Sequence, residues 1–410
     1  MGKIKMLKRF LKVGLIIIFI LAMKSVGTVH AAMPWIQLLL LNDDTIIYVP
    51  GTYNTIQEAI DSATNGDRII VAAGIYVENI DFKGKAITVK SAEGPSTTFI
   101  NGNNAGSVVT FSTAEGPGSQ IEGFSIINGT GTNLPPPIDG LGGGGILCDG
   151  SSPIIKNNFI YSCTADNGAG ILCTNNANPE ITGNTIYQNS GSLGAGIFCR
   201  YSSPDITGNT IAENIASTGG GGIACWLRSS PDILNNRIND NTAGSLGGAG
   251  IRVYNESAPR IINNTVYGNI TSGSGGALYV KHSTPRVINS IFWDNEAADP
   301  GDEIWVGAAS NPLDISVLEI DYSDVQGGLA AVYIDLNSIV NWGAAMINSD
   351  PLFFDSANGD FHLRQDPPQP GVVNPCVDTG DPTSDLLIGS TRTDDVLDSG
   401  IVDMGFHYTD

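Results

Sequence analysis

The sequence predicts an all-β chain: a parallel β-helix solenoid with an N-terminal capping helix and an irregular C-terminal segment. Three observations predict it. A motif recurs about every 26 residues from Pro153 to Pro285, apolar β-branched residues alternate within each repeat, and Gly, Asn and Ser-Pro turns separate the runs.

In chain order, residues 1–31 read as an export signal. Lys3, Lys5, Lys8, Arg9 and Lys12 precede an apolar run, Val13 to Met23, and Val29-His30-Ala31 is a small-residue cleavage site. The run has 11 residues, whereas a bilayer span needs about 20, and no longer one follows. No transmembrane segment is therefore expected after cleavage. Residues 32–66 are expected to form a cap with a short helix at Ile56 to Ser62. An open stack leaves strand edges and apolar core exposed at its ends, and a helix covers both.

Residues 67–345 are expected to form the solenoid. Its phase is set by Pro153, Pro179, Pro204, Pro231, Pro259 and Pro285, spaced 26, 25, 27, 28 and 26 apart. Two residues after each stands Ile155, Ile181, Ile206, Ile233, Ile261 or Val287. Asparagines recur five residues after (Asn158, Asn184, Asn209, Asn236, Asn264) and ten after (Asn189, Asn214, Asn241, Asn269, Asn295). A unit this small cannot bury its apolar face alone, so units stack about 4.8 Å apart and like residues fall above one another. The asparagines become amide ladders. Cys148, Cys173, Cys199 and Cys225 share the inward side with the preceding isoleucines, and their parallel side chains suit a disulfide poorly. "GLGGGG" at Gly140 matches a nucleotide-binding pattern, but no helix signal follows and similar glycines recur in each repeat, so it reads as a bend. Residues 346–410 are the closing segment.

Beyond Ala31 only 14 cations face 41 acids, a net charge of −27, which excludes nucleic acid as a partner. Only three histidines follow the signal, none near the cysteine column, so no zinc site is expected. Function then falls to outward residues. One position after the prolines stand Glu180, Asp205 and Asp232, followed by Arg260 and Arg286. This row is either a solvated acidic face partly neutralised by Arg260 or a Ca²⁺ site; no cofactor is required. After each glycine bend two rows are expected to face out. One is Leu147, Leu172, Phe198, Ala224, Arg252 and Tyr279; the other is Asp149, Thr174, Arg200, Trp226, Tyr254 and Lys281. Rings stack on sugar faces and arginines hold carboxylates, so Arg200, Trp226, Arg252, Tyr254 and Lys281 are the candidate substrate-binding residues. The bland alternative is packing against loops.

"NTIQEAIDSATNGDRIIVAAGIYVENIDFKGKAITVKS" at Asn54 resembles the opening of the pectin-lyase-like right-handed β-helix superfamily. "DYSDVQGG" at Asp321, "DPLFF" at Asp350, "GDFHL" at Gly359, "NPCVDTGDP" at Asn374 and "VDMGFHY" at Val402 are similar to the closing segments of bacterial secreted β-helix repeat proteins. "GGAL" at Gly275 and "FWDN" at Phe292 resemble the GGAI and FxxN repeats of polymorphic outer-membrane proteins. The resemblance implies right-handedness and a secreted or cell-surface location, but its motifs are architectural and bring no catalytic residue. The leading expectation is binding of polysaccharide or cell-surface glycan, acidic in character, along one flank. One alternative is a pectate-lyase-like polysaccharide lyase acting on a uronate glycan, with Lys281 or Arg252 as proton acceptor. The other is a surface adhesin or structural protein.

Overall fold

A computed structural model describes residues 45–136, 140–307, 315–365, 373–398 and 400–408. The segment expected to be an export signal falls outside them. Each full coil contributes four short strands; in one coil these are Glu180–Thr182, Thr185–Tyr187, Ser190–Leu193 and Ile197–Arg200. Stacked coil on coil, they build four sheets. The first has 12 strands, from Ile46–Val49 to Ser338–Trp342, and the second 10, from Gly74–Val77 to Asp324–Val325. The third has 8, from Thr132–Leu134 to Glu296–Ala297, and the fourth 10, from Ile80–Asp81 to Val332–Ile334. Pairing in these sheets is parallel and in register, except in the third, which opens with an antiparallel hairpin between Thr132–Leu134 and Gly140–Gly142 and shifts register between Gly191 and Leu193.

Helix α1, Ile56–Ser62, lies between the first two strands of the first sheet. Thr55 caps it by accepting the Glu58 N–H at 3.1 Å, and the Glu78 carboxylate accepts those of Ile56 and Gln57, both at 2.9 Å. Ile56, Ala59 and Ile60 are buried against the first coil. The apolar end of the stack is thereby kept from water.

The repeated Gly-Ala-Gly has a steric cause. Gly194 is left-handed, at φ 57°, and a side chain there would meet the Phe198 Cβ at 2.6 Å. Gly196 lies beneath the next coil, so that a side chain would strike the Gly222 carbonyl at 2.4 Å. The asparagines form the expected ladders. The Asn209 side-chain Oδ1 accepts from Asn184 N–H at 2.9 Å and from its Nδ2 at 3.1 Å, and the pattern passes to Asn236 and Asn264. The second ladder runs from Asn189 through Asn214, Asn241 and Asn269 to Asn295, and ends on Glu303. These amides are buried, so each bond satisfies a group that would otherwise be costly to bury.

Cys148, Cys173, Cys199 and Cys225 pair in register, fully buried and with free thiols. The neighbouring thiol, then burial, pushes Cys173, Cys199 and Cys225 well above the usual thiol range. All four thiols are fully buried out of reach of reagent, so iodoacetamide is expected to label none of them until denaturant is added. Rapid native labelling of Cys173 or Cys199, read by mass spectrometry, would place the column on the surface and overturn the register.

The closing segment runs back along the solenoid. Asn235 exchanges two hydrogen bonds with the His407 backbone at 3.0 and 2.6 Å, Asn263 donates to the Asp403 carbonyl at 3.0 Å, and Arg237 donates to the Gly359 carbonyl at 2.6 Å. This strap covers turns between the first and second sheets. It leaves the fourth sheet as the flank on which the candidate residues stand.

Candidate flank of the fourth sheet

Thr174, Arg200, Trp226, Tyr254 and Lys281 pair in register on successive coils, as the spacing predicts. The facing of this column does not follow the expectation throughout, since Thr174 and Arg200 are buried where they were expected to face out, and the other row departs from it altogether. Leu147, Leu172, Phe198, Ala224, Arg252 and Tyr279 are at most 9% exposed, not outward in water. The third sheet is the reason. The strand before each bend turns back through its left-handed glycine and covers this row, so Leu134, Leu147, Leu172, Phe198 and Ala224 form a second apolar cluster with Trp226 packed against it. The row is core where it was expected to be surface.

Beyond the cluster the row becomes polar and aromatic. The Arg252 guanidinium lies 5.2 Å from the Tyr254 ring centre and 4.5 Å from that of Tyr279, and it donates to the Leu246 carbonyl. Tyr279 stacks on Trp305 at 4.4 Å and 9°, and Trp305 on Tyr333 at 6.2 Å and 7°. Trp305 and Tyr333 were missed because the proline marker stops at Pro285. Gly301 followed by Ile304-Trp305-Val306 keeps the bend-and-alternate pattern and is the signal that finds the next rung.

Arg200 is 4% exposed. Its guanidinium sits 4.9 Å from the Tyr201 ring and 5.9 Å from that of Trp226. Its Nε is buried without an acceptor, and among the described residues no carboxylate pairs with it. Burial lowers the pKa of Arg200 and of Arg252, but a guanidinium stays charged at any ordinary pH. Arg252 is thus a hydrogen-bonded cation and no proton acceptor. Lys281, half-buried at the end of the column, is the member of that pair in reach of solvent.

Beside Arg252 lies a cavity of about 100 Å³, lined by Leu193, Phe198, Ala224, Cys225, Trp226, Leu246, Arg252 and Tyr254. The Trp226 Nε1–H is buried and has no acceptor among the described residues.

The acidic row lies elsewhere, on the first sheet. Glu180, Asp205 and Asp232 stack in register, and Arg260 grips Asp232 at 3.0 and 3.1 Å. Among the described residues no cluster of three or more His, Cys, Asp or Glu is arranged to hold a metal ion.

The family model described as the right handed beta helix region matches residues 42–238 and 144–317. No curated protein matches the chain. Of solved structures, the Dettilon tailspike protein (gp208) is 14% identical with a TM-score of 0.46, covering 75% of this chain and 69% of that one. Pectin methylesterase from carrot is 15% identical with a TM-score of 0.34, covering 75% of this chain and 89% of the other.

Proposed function

The chain belongs to the right-handed β-helix family, and from that architecture we propose that it is an exported protein that binds acidic polysaccharide along the flank of the fourth sheet. One observation carries the reading: the Arg200 side chain is almost wholly covered, its Nε has no acceptor, and no carboxylate pairs with its guanidinium among the described residues. Covering a cation without an anionic partner is unfavourable, and the rings of Tyr201 and Trp226 beside it offset only part of that cost. A ligand carboxylate supplies the missing partner, in the bidentate geometry a guanidinium favours. Lys281 and the rings of Trp226 and Tyr254, on the following coils, extend the contact along the axis. The net charge of −27 repels an acidic chain at long range, so added salt weakens repulsion and local attraction together. Affinity should respond mildly to salt.

Arg200→Met keeps an unbranched apolar stem and removes the cation. A hydrogen-bonded charge contributes about 1.5 to 3 kcal/mol, so the affinity for oligogalacturonate, read by calorimetry, is expected to fall by about 10- to 150-fold. The melting temperature is expected to hold or rise, because the uncompensated charge is gone. A lower melting temperature with unchanged affinity would make Arg200 a packing residue.

A further inference from the structure

We infer that the C-terminal end of the solenoid is an interface, and that its partner is a second copy of this chain, joined end to end about a two-fold axis. Inward residues show where the stack stops. In the last coil Ile334, Val340 and Trp342 stand in register on Val306, Leu318 and Ile320. The lower three are fully buried. The upper three hold the same inward positions, yet Ile334 is 43% exposed and Val340 and Trp342 are only half-buried. Their strands, Val332–Ile334 and Ser338–Trp342, are the last of the fourth and first sheets, so one edge of each pairs with no strand among the described residues. The opposite end has helix α1 to cover its core; here Leu329 and Leu336 add exposed apolar surface instead.

Composition selects the partner. A terminal repeat that meets water carries a polar outer face. From Gln326 to Ser349 the only charged residue is Asp335, in a protein of which 15% is charged. Depletion of charge over an apolar centre is the composition of a protein interface. The α1 end of another copy does not fit it. Glu58 and Asp61 stand exposed there, Asp61 paired with Lys83 at 2.7 Å, and an apolar surface laid on them would strip their water. An anionic partner finds no cation, since none occurs between Arg286 and Arg364. The same end of a second copy is apolar and nearly neutral in turn, and a two-fold axis closes the assembly at two chains. With the axis through the middle of Ser338–Trp342, that strand meets its copy antiparallel, Val340 on its own counterpart and Trp342 on Ser338. The free strand edge then gains hydrogen bonds, and the half-wet inward residues gain the cover that a further coil would give.

Sedimentation velocity and small-angle X-ray scattering of the mature protein test this from about 1 to 100 µM, a span that brackets a micromolar association. A dimer is expected, with a maximum dimension about 50 Å greater than the monomer's, because the 12 strands of the first sheet stack about 4.8 Å apart. Val340→Lys sets like charges against each other and is expected to raise the dissociation constant about 100-fold or more, as is Val340→Asp, while an equimolar mixture of the two restores the dimer. Restoration needs both variants folded, and so separates a lost interface from a lost fold. Leu336→Lys changes a side chain already 83% exposed, which spares the fold, and is expected to weaken the dimer about tenfold. A parent that stays monomeric throughout, a dimer that does not lengthen, a lengthened dimer that Leu336→Lys leaves intact, or folded Val340 variants that fail to recover on mixing overturns the inference.

Discussion

Ile206→Asp is expected to unfold the solenoid at ordinary temperature or leave it barely folded. Ile206 is fully buried, between Ile181 on one coil and Ile233 on the next. Truncating a buried isoleucine costs about 2 to 5 kcal/mol, and a carboxylate in its place adds several more unless it takes up a proton. A typical domain holds only about 5 to 15 kcal/mol in all. In a stack, moreover, each coil is held by its neighbours, so one bad coil weakens two interfaces. Thr207→Asp is the control. Thr207 is half-buried on the opposite face of the same strand, and its change is expected to cost about 1 kcal/mol or less. Urea denaturation of the two variants should show a wide separation. An Ile206→Asp midpoint equal to the parent's, with Thr207→Asp the destabilised variant, would mean that the inward and outward faces have been exchanged.

That contrast rests on a register legible in the sequence, because the proline spacing fixes which residue stands above which. The isoleucine columns, the asparagine ladders and the cysteine column all follow from it. The third sheet was not legible. Its strands, such as Thr164–Asn167, Ser190–Leu193 and Ile215–Gly219, differ in length and composition, and their register shifts between Gly191 and Leu193. Alternation after the glycine bend therefore gave the register of the fourth sheet's rows but could not say that one row would be covered throughout and the other covered at Thr174 and Arg200. Phe198 beside Leu172 and Ala224 carried that information, since a continuous apolar row is unusual on a solvated face. The strap was hidden for another reason. Asn235, Asn263 and Asn289 occupy left-handed turn positions where earlier coils have Gly183 and Gly208. Asn tolerates that conformation as Gly does, and its free amide then serves the strap, a tertiary contact some 140 to 172 residues away for Asn263 and Asn235. Nothing in the local pattern distinguishes an asparagine that only turns from one that also docks.

The end of the second ladder gives the protein a pH-dependent stability. Each amide donates to the carbonyl oxygen of the next coil, so the last, Asn295, needs an acceptor, which Glu303 supplies at 2.7 Å to Nδ2 and 3.2 Å to the backbone N–H. The carboxyl is 2% exposed. Burial pushes its pKa up to about 8; Asp302 and Asp294 push the same way, against the two hydrogen bonds. The folded value lies above the ordinary 4.5, so between about 4.5 and 8 the native state holds a proton that the unfolded chain has released. Stability from this group is complete at the acid end of that window, is lost as pH rises through it, and levels off beyond. The slope is at most about 1.4 kcal/mol per pH unit, or on the order of 2 to 3 kcal/mol between pH 6 and 8. Asp324, pushed by burial to about 6, acts in the same sense at lower pH, so the interval from 6 to 8 belongs mainly to Glu303. Glu303→Gln presents one carbonyl oxygen, as the protonated acid does, and does not titrate. Its melting temperature is expected to match the parent's at pH 5 and exceed it at pH 8. Other titrating groups, histidines included, contribute equally to both proteins and cancel in the difference. Parallel melting curves across the range would mean that Glu303 is ionised in the folded protein, and that the ladder ends on a charge.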